Sequence, residues 1–387
     1  MANFLLFWAS LGGIFYTYIG FPLLLLARGA LFKKAIHKAE ITPNISLIII
    51  AYNEAEIIAA KLENSLALDY PRDRLEIIVG SDGSSDGTNE IVAQYEDKGI
   101  QLFAYPRQGK ISSLNATVPY TRGEVLVFSD ANSMYEPDAL TQLVSSFADP
   151  DVGCVGGNQR YISGSGSKAA GFGEQLYWNF ESTLKNMQSK AGNMTSATGA
   201  MLAIRKELFQ TIPSGVGDDF IMSTRVISQG YRLVFEPEAL AFETVAPTEQ
   251  AEFRRKVRVI VQGLWGLWIV RDLFNPVVHG FYALQIFSHK FLRWSVCWML
   301  ISLFLSSLGL YRKHKFYALV TQAQLLFYGV AASAWGLKQT SFAQLKIFKL
   351  FSIPFYFCLV NIASLMGWYQ LVIGKRVDIW SSTQRTK

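Results

Sequence analysis

The stretch Ile45–Leu66, ISLIIIAYNEAEIIAAKLENSL, decides the architecture of this chain. Its first seven residues are apolar apart from Ser46, with Ile45, Ile48, Ile49 and Ile50 among them. A short continuous apolar run rich in β-branched residues reads as a strand buried on both faces. Tyr52, Asn53 and Glu54 break the run, and from Glu54 to Leu66 the apolar residues recur at helical spacing. The same alternation continues outward. Strands are expected at Leu75–Gly80, Gln101–Ala104 and Val125–Ser129, with helices at Asp86–Lys98 and Lys110–Val118 between them. A long amphipathic helix is expected over Ala170–Lys190 and a strand near Thr198–Ile204, with the Gly/Ser-rich Tyr161–Lys168 as a mobile loop. Strands alternating with helices predict an α/β domain built on a largely parallel sheet. In such a sheet ligands bind beyond the carboxyl ends of the strands.

The flanks are different in kind. Half of the 387 residues are apolar and only 17% are charged, oilier than an ordinary soluble domain. The excess lies in residues 4–26 and in much of 276–373, whereas 40–255 reads as a water-soluble enzyme. Phe4–Leu26 is long enough to cross a bilayer. Its uncharged start and the absence of a small-residue cleavage site mark a retained anchor rather than a signal peptide. Arg28, Lys33, Lys34 and Lys38 follow it, which by the positive-inside rule puts the next domain in the cytoplasm, the multi-pass arrangement of a bacterial-type plasma membrane protein. Phe253–Val270, FRRKVRVIVQGLWGLWIV, is expected to lie along the membrane interface. Spans are expected near Leu292–Leu310, Phe316–Leu337 and Leu350–Ile373, and Asn275–His289 must also dip into the membrane if Arg312–Lys315 and Lys375–Arg376 are both to lie inside. The expected organisation is therefore an anchor at 1–30, a soluble domain at 40–248, interface helices at 249–290, membrane helices at 291–375 and a basic tail at 376–387.

The formal charge of +6 collects beside the apolar ends and points to membrane lipids; the soluble part has no basic stripe, which excludes nucleic acid as a partner. Cys154, Cys297 and Cys358 are far apart and offer neither a disulfide framework nor metal-ligand spacing. No internal repeat is present.

Five polar motifs follow predicted strand ends or open predicted helices. Ala51–Glu54 (AYNE) offers a ring and a carboxylate to a nucleobase and ribose, or else Asn53 caps a helix. Gly80–Thr88 (GSDGSSDGT) is either a ligand loop or a turn closed by an Asp86 cap; it lacks GK[ST] and G-x-G-x-x-G, so it is neither a Walker loop nor a dinucleotide fingerprint. Ser129–Asn132 (SDAN) places Asp130 and Asn132 on one side as oxygen ligands, which suits Mg²⁺ or Mn²⁺ bridging a diphosphate, or it caps a helix over Glu136–Phe147. Gly217–Phe220 (GDDF) supplies a general base or two acids at a helix N-terminus. Arg254, Arg255, Arg258 and Gln262 hold a diphosphate, an acceptor or lipid headgroups.

In order and spacing, AYNE, GSDGSSDGT, Gly109–Asn115 (GKISSLN), SDAN, Thr198–Met201 (TGAM) and GDDF resemble the family 2 glycosyltransferases over roughly residues 45–265. The membrane flanks resemble the polysaccharide-synthase branch, which includes hyaluronan, poly-N-acetylglucosamine and cellulose synthases. The resemblance implies an inverting hexosyltransferase with a GT-A fold that uses a nucleotide-sugar, UDP-linked in the commoner case, and Mg²⁺ or Mn²⁺. It implies that Tyr52, Glu54, Asp82, Lys110 and Asp130 hold the nucleotide-sugar. Asp130 and Asn132 would then take the metal. Asp219 would be the base with Asp218 beside it, and Gly199, Ala200, Arg255, Arg258 and Gln262 would serve acceptor or diphosphate.

Two departures qualify this. The family's D-x-D is D-A-N here, implying weaker metal binding. The Q-x-x-R-W signature is replaced by Arg255-Lys-Val-Arg258-Val, which favours addition of a single sugar or a short glycan over processive synthesis with export. The acceptor implied is lipid-linked or a growing glycan. A non-catalytic partner subunit or a transporter is the rival reading; a transporter would concentrate its polar residues inside the spans, where Asn361 is the main one in the last.

Overall fold

The computed structural model describes residues 1–162, 168–244, 248–337, 340 and 348–376. Most of the expected loop at Tyr161–Lys168 and nearly all of the basic tail at 376–387 lie outside the described residues. Ile45–Ala51 (β1) is a strand with every residue buried. Leu47, Ile49 and Ala51 enter one apolar layer, together with Ile58 and Leu62 of the helix Ile58–Leu66 (α1). Ile48 and Ile50 enter the opposite layer, with Leu114 of Lys110–Thr117 (α2) and Phe220 of Asp218–Ser228 (α3). Two covered faces explain why the run shows no polar alternation.

β1 pairs in parallel with Leu75–Asp82 (β2) and with Val125–Asp130 (β4), and β2 pairs in parallel with Ile100–Tyr105 (β3). The chain therefore leaves β1 towards β2 and β3, then returns to β4 on the other side of β1. This reversal creates a crevice at the carboxyl ends of β1 and β4. Beyond β4 the sheet is mixed. Leu202–Arg205 (β7) is antiparallel to both β4 and Val152–Ile162 (β6). Arg232–Thr244 (β8) is parallel to β6 and antiparallel to the two-residue Met134–Tyr135 (β5). The order across the eight strands is β3-β2-β1-β4-β7-β6-β8-β5. The antiparallel half lay beyond periodicity alone, because its pairings join residues 46 to 108 positions apart in the chain.

Ala2–Leu31, Phe281–Leu310 and Leu350–Val372 are long and apolar enough to cross a membrane, as a membrane protein requires. Lys315–Leu337 was expected to span as well; it is a helix but falls outside that set, and it carries Thr321, Gln322 and Gln324 along its length. The segment expected to start at Leu292 begins three turns earlier at Phe281, through a π-helical stretch at Phe287–Leu292. The expected interface helix is Glu249–Ile269 (α4), and it is more enclosed than a helix lying on a lipid surface. One side packs on α3, where a Cβ on Gly266 would come within 2.7 Å of the Phe220 ring. The other side packs on Phe348–Val372 through Val257, Ile260, Val261, Leu264 and Ala363. A Cβ on Gly367 would come within 2.7 Å of Ile260 Cγ2, so small residues set this approach.

One glycine beneath the crevice is sterically fixed. The Gly123 N–H donates to Ser46 Oγ at 2.8 Å, and an added Cβ would sit 2.6 Å from that oxygen, 2.7 Å from the Ile45 carbonyl carbon and against the Ser46 backbone nitrogen. Backbone cannot rotate aside, so Gly123→Ala should cost about 1–3 kcal/mol. Thermal unfolding in detergent should show a Tm lowered by several degrees; an unchanged Tm would contradict this packing.

Candidate active site

The two loops at the ends of β1 and β2 are sewn together by their own polar atoms. Asn53 takes a left-handed backbone (φ 52°), and its Oδ1 accepts the Ser85 N–H at 2.9 Å, while the Asn53 N–H donates to Ser84 Oγ at 3.1 Å. The Glu54 N–H donates to Thr88 Oγ1 at 2.9 Å and the Ala55 N–H to Asp86 Oδ2 at 3.0 Å. Asn53 is not a helix cap, since α1 begins only at Ile58. Asp86 is not the cap either, since the N-cap of the helix Thr88–Ala93 is Gly87; its carboxylate accepts the Thr88 N–H at 3.1 Å from just outside the helix. Asp82, at the end of β2, is wholly buried. Its carboxylate accepts the N–H groups of Gln108 and Gly109 at 2.9 and 3.0 Å and the Ser113 hydroxyl at 2.9 Å, and it pairs with Arg107. The Arg107 guanidinium in turn lies 3.4 Å above the Tyr52 ring. Asp82 thus anchors the loop that leads into α2, and the first residue of α2 is Lys110.

Lys110 is the hub. Its ammonium donates to Asp130 Oδ1 at 2.7 Å, at the end of β4, and pairs with Asp218 Oδ2 at 2.9 Å, at the start of α3. The burial that disfavours a charged lysine is outweighed by these two carboxylates, which raise its pKa. Burial pushes the Asp130 carboxyl up, but the Lys110 charge and hydrogen bond override it and hold the group below its usual range. Asp219 behaves in the opposite way. Burial, with Asp218 adding repulsion and Lys110 opposing, pushes its pKa up to about 6. One Asp219 oxygen accepts the Gly199 N–H at 3.0 Å and the other the Phe220 N–H at 2.7 Å. Gly199 is where the two halves meet, since a Cβ there would lie 3.3 Å from Asp130 Oδ2 and 3.6 Å from Lys110 Nζ. The Ala200 carbonyl accepts the Tyr135 hydroxyl at 2.9 Å.

A cavity of about 690 Å³ opens over this cluster. Glu54, Lys110, Asp130, Asn132, Gly199, Ala200, Asp218, Asp219, Arg255, Arg258 and Gln262 all lie on its wall. Tyr52 and Asp82 do not, and Arg254 is exposed elsewhere on α4. Arg255 is held by Glu252 at 2.7 Å and by the Tyr161 hydroxyl at 2.8 Å.

Sequence reading missed Arg107, Glu243, Lys185 and Lys290. Only Arg107 had a local signal, a basic residue just after a strand. Glu243, on β8, accepts the Ser133 hydroxyl and the Gln159 side-chain amide, the latter at 2.7 Å; burial followed by the charge of Asp130 raises its pKa.

No group of three His, Cys, Asp or Glu side chains suited to a metal is present among the described residues. Asp130 and Asn132 nevertheless present oxygen donors to the cavity beside a second carboxylate, Glu243. A sparse oxygen set of this kind fits a Mg²⁺-like ion whose remaining ligands come from substrate phosphates and water.

The model of the family described as glycosyltransferase like family 2 matches residues 43–261. A poly-beta-1,6-N-acetyl-D-glucosamine synthase of Staphylococcus aureus is 27% identical over 310 residues, covering 78% of this chain and 74% of that protein. A probable glycosyltransferase, YdaM, of Bacillus subtilis is 29% identical over 227 residues, covering 56% and 54%. The solved mannosyltransferase PcManGT from Pyrobaculum calidifontis, in complex with GDP-Man and Mn²⁺, superposes with a TM-score of 0.68 at 22% identity, covering 97% of this chain and 99% of its own. A parallel crevice carrying the strand-end motifs, and a family match over more than half of the chain, lead to one conclusion: this protein belongs to glycosyltransferase family 2 and is a GT-A glycosyltransferase with apolar helices at both ends.

Proposed function

We propose that the enzyme transfers a hexose or N-acetylhexosamine, with inversion, from a UDP-sugar to a hydroxyl of a lipid-linked or glycan acceptor. One observation carries this reading: Asp219, a carboxyl whose pKa is pushed up to about 6, stands on the cavity wall beside the Lys110–Asp130 pair. A general base works best with a pKa near the operating pH. The acceptor hydroxyl gives its proton to Asp219 as its oxygen bonds to the anomeric carbon. The bond from that carbon to the diphosphate oxygen breaks, and its electron pair leaves with the nucleotide.

Tyr52, backed by Arg107, and Glu54 hold the nucleoside. Asp82 is a positioning residue that works through the loop ahead of Lys110. Lys110 and Arg258 face the developing charge of the leaving diphosphate, as fixed cations do in such sites. Asp130 and Asn132 would hold Mg²⁺ or Mn²⁺, which neutralises diphosphate charge when bound. Gly199 and Ala200, with Gln262, line the acceptor side. The basic residues after Ala2–Leu31 favour a catalytic domain in the cytoplasm, at a bacterial-type plasma membrane.

Processive synthesis is the second reading, favoured by the similarity to the Staphylococcus aureus polymer synthase. Against it, Arg255 and Arg258 stand without the flanking Gln and Trp. Product size from a panel of UDP- and GDP-sugars separates the two.

Asp219→Asn should lower kcat by about 10²–10⁴-fold while donor affinity, read by calorimetry, stays within a few-fold. Full turnover in the folded variant would remove Asp219 from the role of base. In the wild type, kcat should rise about tenfold per pH unit up to about pH 6 and then level. Stability carries the opposite sign. An unfolded aspartate loses its proton near 3.8, whereas folded Asp219 keeps it to about 6, so this group costs stability as pH rises through that window. The wild-type Tm should therefore fall relative to that of the Asn variant as pH rises from about 4 to about 7; a Tm difference that stays constant across that window would contradict the electrostatics described.

A further inference from the structure

The cavity does not end at the base. From Asp219 it continues along Lys168–Lys190 (α5) to the flanks of all three apolar helices, reaching Tyr18, Trp294 and Phe357. On that path the charges are unevenly matched. Glu181 takes Arg293 at 2.7 Å and His289 at 3.1 Å. One turn on, Lys185 is 5% exposed, and Lys290 comes from the facing helix. Neither makes a hydrogen bond or an ion pair among the described residues. Their only close contacts of note are indole faces, Trp178 at 6.0 Å from Lys185 and Trp294 at 5.6 Å from Lys290. Two further polar groups on the same wall are buried without partners, the Trp178 indole N–H and the Thr198 hydroxyl. Burial drags Lys185 down to about 8, yet the charges of Glu181 and Asp219 reach it, and that of Lys290 reaches Asp219.

A buried cation without a direct ion pair is costly unless an anion arrives to meet it. Here donors converge without an acceptor of their own. The donor diphosphate has its own cations at Lys110 and Arg258, which line the same cavity beside Asp130 and Asp218. The anion at Lys185 and Lys290 therefore belongs to the other substrate. Beyond the lysines the wall turns apolar, with Ile353, Phe357 and Val360 of a membrane-spanning helix. An occupant that is anionic at one end of this passage and apolar at the other is a lipid phosphate.

We propose that Lys185 and Lys290 form a phosphate subsite for an acceptor whose sugar is joined to a membrane lipid through phosphate. The phosphate sits at the lysines, the chain runs along Phe357 and Val360, and the sugar hydroxyl reaches Asp219. This rests on the transferase reading above and narrows its acceptor to the lipid-linked class. A lone polysaccharide chain offers nothing to neutralise the ammonium groups of buried Lys185 and half-buried Lys290.

The test is direct binding to the full-length protein in detergent, read by quenching of tryptophan fluorescence, with farnesyl phosphate, farnesol and inorganic phosphate as probes. UDP binding by calorimetry runs in parallel. Farnesyl phosphate should bind at least tenfold more tightly than farnesol or inorganic phosphate. Lys185→Met and Lys290→Met together should weaken it at least tenfold and leave UDP binding unchanged. Removing the unpaired charge of buried Lys185 should also leave the Tm level or higher. Should the Lys185 variant fail to fold, Lys290→Gln alone carries the comparison.

Equal binding of farnesol would overturn the proposal and leave an apolar groove. Equal binding of inorganic phosphate would overturn it in favour of a free-anion site. Unchanged affinity in the variants would overturn the assignment of the lysines. Loss of UDP binding in the wild type would instead strike the transferase reading, so the two failures are distinguishable.

Discussion

A single ammonium group joins the two halves of this site. Lys110 contacts Asp130 at the end of β4 and Asp218 at the start of α3, segments that are nearly ninety residues apart in the chain. Both carboxylates are half-buried or less exposed, and the Lys110 ammonium between them offsets their mutual repulsion. The loop that delivers Lys110 is itself held by Asp82, whose carboxylate takes two backbone N–H groups and a hydroxyl from the residues around it. The two sides of the crevice are thus registered through one side chain, and Gly199 passes between them with little room to spare, since a Cβ there would lie 3.3 Å from Asp130 Oδ2.

Much of the parallel half was legible from the chain alone. Parallel strands buried on both faces leave an unmistakable apolar run, and any polar cluster after such a run falls at the carboxyl edge of the sheet. That is why AYNE, GSDGSSDGT and SDAN were placed on the correct edge, and why the strand bounds at Ile45–Ala51 agree with the structure. The same reasoning did not reveal which way a side chain faces. Asp82 and Asp86 sit in one loop, yet Asp82 turns into the fold while Asp86 stays at the surface and accepts the N–H groups of Ala55 and Thr88. A strand-end aspartate beside glycines looks the same in either orientation.

The half around Asp219 was harder to read, because it is assembled from distant parts. Glu243 comes to Asp130 across β8, and Lys185 comes to Lys290 from a helix more than a hundred residues earlier. No spacing rule links such positions. The membrane helices were legible as apolar stretches but not as packing partners. The glycines that let α4 approach its neighbours, Gly263 against Trp294 and Gly367 against Ile260, read in the chain as ordinary small residues. Their consequence is that the helix carrying Arg255 and Arg258 is clamped between the soluble domain and the apolar helices, so the cavity is bounded by both.

The most direct measurement of this arrangement is turnover of the nucleotide-sugar by Lys110→Met, with fold and Tm checked in the same detergent. The account predicts a folded protein whose kcat falls at least a hundredfold, because the leaving diphosphate loses its cation and Asp130 and Asp218 are left to repel one another. A folded Lys110→Met enzyme with wild-type turnover would contradict it, and the site would then have to be organised around another group.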